Sequence, residues 1–159
     1  MYHGISSRPR NNCVTQSLFR EQINWLKQQY TVIPLSNMVK ELETESAVRC
    51  NLASITFDDG YVNFAELALP ILDEYDCHST IFIPSGKVGH YNDWDEYNSD
   101  FNKMQIMSYD QLIRLKKDRL EIGSHGISHT PLNTLSHEEI LKEIIYSKNE
   151  LEQKLGIEV

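Results

Sequence analysis

The sequence has no window approaching the ~20 consecutive apolar residues of a membrane-spanning helix. Its opening, MYHGISSRPR, holds no apolar stretch of the signal-peptide kind. As written, the chain is expected to stay in the cytoplasm, or to be secreted or membrane-associated if its natural start lies upstream. Cysteine is scarce: Cys13, Cys50 and Cys77 are odd in number and lack metal-type spacing. They read as reduced thiols, with Cys50 and Cys77 expected in or near a core. Basic residues are outnumbered, 15 Lys and Arg against 23 Asp and Glu, for a formal net charge of -8. An acidic chain without basic clusters argues against nucleic acid or an anionic membrane as partner. Internal repeats and low-complexity stretches are absent. What remains, 159 residues at 40% hydrophobic and 24% charged, suits one globular domain with a real core.

Periodicity sets out the elements. Phe19, Ile23, Leu26 and Tyr30 recur at helical spacing in Ser17–Tyr30, and Trp25 on this amphipathic helix is expected in the core. Thr31–Leu35 is a short strand closed by Pro34, and Ser36 is placed to cap a helix through about Glu43. Glu41–Arg49 is polar and expected to be exposed. Asn51–Phe57 reads as a buried parallel strand running into Asp58-Asp59-Gly60. A helix is predicted over Asn63–Tyr75 with a kink or restart at Pro70, followed by a second buried strand, His78–Ile83. Lys87–Ile106 lacks periodicity but carries Tyr91, Trp94, Tyr97 and Phe101; a loop this long is functional or an ordinary excursion. Ser108 to Gln111 and Ser136 to Glu139 are capping boxes, opening helices to Lys117 and to Leu155, the latter stopped by Gly156. Leu120–Gly123 is a strand running into Ser124-His125, and Ile157–Val159 resembles the start of another. This alternation predicts an α/β fold with a mostly parallel sheet or barrel, whose chemistry sits at the carboxyl ends of the strands.

The polar clusters fall there. Two adjacent carboxylates at the end of a buried strand oppose each other's ionisation, and a cation would relieve that cost. Neighbouring side chains point apart, so one can bind a metal while the other faces substrate. Asp-Gly is also a common turn dipeptide, and taken alone the pair reads as a turn. His125 and His129, four apart, can reach one metal from a tight loop, though either can be incidental. Asp59, His125 and His129 form the inferred metal set, leaving coordination positions open for water. Such a site lowers the pKa of bound water to ~7, and Asp58 beside it can take the proton. Hydrolysis of an amide or ester follows from that arrangement.

Ile55-Thr56-Phe57-Asp58-Asp59-Gly60 and Ser124-His125-Gly126-Ile127-Ser128-His129 resemble the first and second signatures of the polysaccharide deacetylases, the NodB-homology or carbohydrate esterase family 4 group. Met1-Tyr2-His3 resembles the Tyr-His opening of that family. Ala68-Leu69-Pro70-Ile71-Leu72 and Ser79-Thr80-Ile81-Phe82-Ile83-Pro84 resemble segments that follow its first signature. The resemblance implies a distorted (β/α) barrel of fewer than eight repeats, here incomplete. It implies a hydrolase of carbon–nitrogen (non-peptide) bonds that removes N-acetyl, or less often O-acetyl, groups from a carbohydrate. It assigns Asp58 as catalytic base and Asp59, His125 and His129 as ligands of zinc, cobalt or another divalent ion. His3 and Tyr61 are candidate substrate contacts; fraying of the terminus and packing, respectively, are equal alternatives.

The sequence departs from the family in two places. Gly126 stands where Ser or Thr often follows the first His, which costs a loop hydrogen bond but no ligand. The later signatures, including the catalytic-acid His, have no counterpart, so residues 1–159 read as one NodB-like domain lacking its C-terminal part, weakly active or inactive alone. Two other readings stay open: a metal- or carbohydrate-binding remnant without turnover, and a hydrolase of another amide. An incomplete barrel edge also makes self-association an expectation.

Overall fold

Alternation of short apolar strands with helices carries through into the structure, a computed structural model that describes residues 1–44, 50–99, 101–115 and 118–159. Strands β1 (Gly4–Ser6) and β2 (Cys13–Thr15), unforeseen from the sequence, pair in parallel ahead of helix α1 (Gln16–Gln29). Next come β3 (Thr31–Val32), helix α2 (Leu35–Glu43), β4 (Leu52–Ala53) and β5 (Thr56–Phe57). Helix α3 (Leu69–Glu74), β6 (Ser79–Ile83), helix α4 (Tyr109–Arg114), β7 (Leu120–Ser124) and helix α5 (His137–Leu155) complete the order. β3 pairs with β4, and β5, β6 and β7 form a three-stranded sheet, every pairing parallel. Tyr2 extends that sheet by a parallel bridge to Phe57. Within the three-stranded sheet successive strands neighbour one another in chain order with a helix between them, as in a (β/α) barrel.

The predicted strand Asn51–Phe57 is two pieces. Residues 52–53 pair back to β3 and residues 56–57 pair forward to β6, so the chain changes partner at Ser54-Ile55. Ser54 marks the switch by donating its hydroxyl to Ile33 O at 3.0 Å. Strand β3 stops at Val32, short of the predicted Leu35. The predicted kink at Pro70 takes a specific form: a π-helical turn over Phe64–Ala68, closed by Leu69 N–H on Phe64 O, leads into α3 with Pro70 in its first turn. There its missing N–H costs no helical bond. Both capping boxes form as read, at Ser108 and Ser136, and Gly156 ends α5 at φ 62°. Helix α4 ends at Arg114; the predicted end at Lys117, and residues 45–49 of the predicted polar stretch, lie outside the described residues. Ile157–Val159 does not form a strand; Val159 N–H turns back to Glu152 at 3.2 Å.

Core expectations need two corrections. Cys77 is buried but Cys50 is exposed in a turn. Trp25 is 56% exposed and rests on Tyr30, because α1 turns Phe19 and Ile23 inward and Trp25 away. The core centres on Phe19, Phe57, Phe64, Leu72 and Ile81, all fully buried.

Ser36 does not cap α2. The helix starts two residues earlier, behind Pro34, and its cap comes from β7: Glu121 accepts from Leu35 N–H at 3.0 Å and from the N–H and hydroxyl of Ser36. Thr80 donates to the same carboxylate at 2.8 Å. Burial alone would raise the Glu121 carboxyl, but these donors outweigh it and hold the group below its usual value of 4.5. A lowered carboxyl contributes stability that is present above its unfolded value and lost as pH falls through the folded one. Glu121→Gln is therefore expected to be less stable than wild type at pH 7 in urea unfolding. That gap should close as the pH drops below about 4. A gap that stays constant with pH would show that the carboxylate charge is not what α2 uses.

Candidate metal centre

The ends of β5 and β7 deliver the predicted residues to one place. Asp58 N–H bonds to Tyr2 O at 2.9 Å, which fixes the exit of β5. The chain then turns left-handed at Asp59 (φ 70°) and Gly60 (φ 69°). Asp tolerates this region better than most residues. A Cβ on Gly60 would come within 2.6 Å of Ile83 Cδ1, so the turn requires glycine at that position. On the other side, His125 N–H bonds Ile83 O at 2.9 Å and continues β7 past Ser124. His129 closes the loop at φ 62°, a conformation costly for a side chain of its size and concentrated at functional sites.

These turns place Asp59 Oδ1 at 3.1 Å from His129 Nε2 and 3.5 Å from His125 Nε2. One ligand atom from each of the three lies within 4.8 Å of the others. Asp59 is 3% exposed, and its Oδ1 is buried without a hydrogen-bond partner among the described residues. Burial would raise its carboxyl, but His125, His129 and the Tyr61 hydroxyl oppose this and hold it well below the usual carboxylate range. The Asp59 carboxylate in turn raises His125 above its usual value against the opposing effect of burial, with a smaller contribution from the charge of Asp58. A buried anionic oxygen without a donor, flanked by two imidazole nitrogens, is an environment a divalent cation satisfies. Two His and one carboxylate are a donor set zinc accepts while keeping a position open.

Other expected residues take different places. Asp58 is half-buried beside the cluster and outside it. Tyr61 is 2% exposed, packs with Met104 and Ile106, and its hydroxyl helps to hold the Asp59 carboxyl low. Its own hydroxyl is pushed up by burial and by that carboxylate. His3 lines a separate hollow with Asn12, Cys13 and Gln22.

Two features of the site were not read from the sequence. Trp94, carried by the long 87–106 loop, stacks on His129 with ring centroids 4.0 Å apart and planes 19° from parallel. Polar contacts within the loop hold Trp94 there. Lys87 pairs with Asp93 at 2.8 Å, and Asn92, 1% exposed, bonds Asp95, Asn102 O and Met104 N–H. A cleft of about 730 Å³ opens beside the histidines, walled by Phe82, Trp94, Pro131, Leu132 and Ile144. The second feature is Glu143 on α5, whose carboxylate accepts from Ile127 N–H, Ser128 N–H and the Ser128 hydroxyl.

A family model described as polysaccharide deacetylase matches residues 45–159. The chain belongs to the polysaccharide deacetylase family. Among curated relatives of this deacetylase-family chain is the Bacillus subtilis protein YxkH, whose name places it in the same family. It is 28% identical over 151 residues, covering 93% of this chain and 48% of the relative. The chitin deacetylase of Colletotrichum lindemuthianum is 29% identical over 93 residues, 58% of this chain and 33% of that enzyme. The chain thus spans about half the length of the first relative and a third of the second. Two solved structures share its fold. The Streptococcus pyogenes deacetylase PplD, solved in complex with acetate, has a TM-score of 0.77 at 22% identity over 98% of this chain and 67% of its own. IcaB from Ammonifex degensii has a TM-score of 0.82 at 16% identity over 99% and 69%. The fold expected from the two signatures, α/β of the deacetylase barrel type, is the fold found.

Proposed function

We propose that this chain carries the metal centre and base of a hydrolase that removes N-acetyl, or less often O-acetyl, groups from a carbohydrate. The observation that carries this reading is the buried, donorless Asp59 Oδ1 between two imidazoles at the carboxyl ends of β5 and β7. Membership of the polysaccharide deacetylase family, and the relative whose name gives chitin as substrate, support an acetylated polysaccharide.

Asp59, His125 and His129 would hold the ion, zinc before cobalt or another divalent metal. A bound ion of this kind supplies Lewis-acid polarisation and lowers the pKa of water to about 7. Asp58 lies beside these ligands but outside them, half-exposed, and accepts the proton of the attacking water. Tyr61 keeps Asp59 in its ligand orientation from the buried side. Trp94, stacked on His129, and Phe82 form an apolar wall that sheds water from one side of the cleft.

The test begins with metal content. The purified, monodisperse chain is expected to hold about one divalent ion, and His125→Ala to lose it. Acetate release from an acetylated chito-oligosaccharide then assigns the reaction. A folded chain that takes up no zinc or cobalt would overturn the ligand set. A loaded chain that releases acetate from a small amide and not from the sugar would move the substrate class.

A further inference from the structure

Two of the three proposed ligand residues, His125 and His129, sit on the loop 125–129, where Gly126 follows the first His. The loop is nevertheless held from outside. Glu143 Oε2 accepts from Ile127 N–H at 2.6 Å and Ser128 N–H at 3.0 Å, while Oε1 accepts from the Ser128 hydroxyl at 2.7 Å. Three donors between the two histidines converge on one carboxylate. Gly126 leaves the approach clear: a Cβ there would meet Glu143 Oε2 at 3.0 Å, at a φ of 76° that side chains avoid. The glycine and the glutamate are matched, one removing bulk where the other inserts a carboxylate.

Glu143 belongs to a polar stripe on α5. One turn on, Ser147 is fully buried with its hydroxyl against that of Ser124 at the end of β7. Two turns on, Glu150 accepts from the Ser85 hydroxyl at 2.7 Å, just past the end of β6. Ser85 N–H and Gly86 N–H then bond to Gly126 O and Ile127 O at 2.9 and 3.0 Å. Residues 143, 147 and 150 share one helical face, and that face grips the strand ends and the loop that carries the imidazoles.

We propose that Glu143 is a positioning residue for the metal centre: it sets the distance and orientation of His125 and His129 by fixing the backbone between them from α5. The inference rests on the ligand reading given under Proposed function. Its test is zinc affinity of the 159-residue chain by competition with a chromophoric chelator, with the visible absorption of the cobalt-loaded chain as a geometric signature. Glu143→Ala is expected to weaken zinc at least about tenfold, within the range typical of groups that orient ligands, and to change the cobalt spectrum. Glu143→Gln keeps an acceptor for the two N–H groups and is expected to recover most of the affinity. A purely structural role would lower the melting temperature of the metal-free chain without altering the cobalt spectrum. Zinc affinity of Glu143→Ala within twofold of wild type, with an unchanged spectrum, would overturn the proposal and leave the ligand set standing. A wild-type chain that binds neither metal would overturn the ligand set and the proposal together. Should Glu143→Ala fail to fold, Ser128→Ala, which removes one of the three donors, carries the test: more than twofold weaker zinc supports the proposal, and no change overturns it.

Discussion

Asp59→Asn is expected to lose the bound ion while its neighbour variant, Asp58→Asn, keeps it. The two side chains are adjacent in sequence and would differ only in role. Asp59 is buried, and its Oδ1 lies 3.1 and 3.5 Å from the two imidazoles. Asparagine suits the left-handed backbone at this position, φ 70°, as well as aspartate does, so the substitution removes charge without straining the turn. Removing a ligand anion should cost more than the 10–100-fold typical of removing a group that merely orients a ligand. Zinc affinity is therefore expected to fall at least about a hundredfold in Asp59→Asn and to stay within about threefold in Asp58→Asn. Ligand binding at a hundred times Kd stabilises the folded state by about 2.7 kcal/mol. Saturating zinc should then raise the wild-type melting temperature by roughly 5–10 °C, and the rise should be missing in Asp59→Asn.

Acetate release separates the pair further. Asp58→Asn, loaded with metal, is expected to be slower than wild type by about 10²–10⁴, the usual contribution of a positioned base. The metal-free chain gives an independent check. Asp59 raises His125, so a proton-titrating NMR signal of His125 should move down towards about 6.5 in Asp59→Asn. By linkage, a raised His contributes stability below its unfolded value and loses it as pH rises through the folded value. That loss around neutrality should disappear with the carboxylate. Equal zinc affinity in the two variants would sink the assignment of distinct roles.

Legibility in the sequence followed the range of the interactions. Both capping boxes were readable because Ser and Gln or Glu act three residues apart on the same turn. The meeting of Asp59, His125 and His129 was readable because Asp59 lies just past the end of a strand and the histidines are four apart. Trp25 lies two residues, about 200°, round the helix from buried Ile23, which puts it on the opposite, exposed face. The partner switch at Ser54-Ile55 was hidden because an apolar run does not say which strand it pairs with. The cap of α2 was out of reach because its acceptor, Glu121, lies 86 residues from Leu35. The same holds for Trp94 on His129 and Glu143 on the ligand loop. The aromatic in the long loop was a visible signal without an address. Glu143 carried none beyond its place on a face shared with Ser147 and Glu150.

Phe57→Ala is expected to be the most damaging single change to the fold. Phe57 is fully buried and immediately precedes the two carboxylates. Its ring touches three others: Phe64 edge-on at 4.8 Å, Tyr2 stacked at 5.3 Å and Phe19 edge-on at 5.7 Å. Those partners come from the amino-terminal bridge, α1 and the π-helical turn, so one side chain joins the segments around β5. Truncation of a buried Phe costs about 3–5 kcal/mol, and each well-oriented aromatic pair adds about 0.5–1.5 kcal/mol to what area burial gives. The melting temperature should fall by roughly 6–20 °C, and zinc affinity should fall with it because Asp59 loses its anchor. Phe57→Leu refills part of the cavity and should lose much less of both. The neighbouring edge of the sheet gives the contrast: Thr56 is only half-buried and supplies the backbone carbonyl that binds Tyr2 N–H at 2.8 Å, a bond that survives any side chain there. A Phe57→Ala melting temperature within about 2 °C of wild type would mean that the aromatic cluster is packed but not stabilising. The exit of β5, and with it the position of Asp58 and Asp59, would then have to be held by backbone bonds, those between Tyr2 and residues 56 and 58 and the pairing with β6.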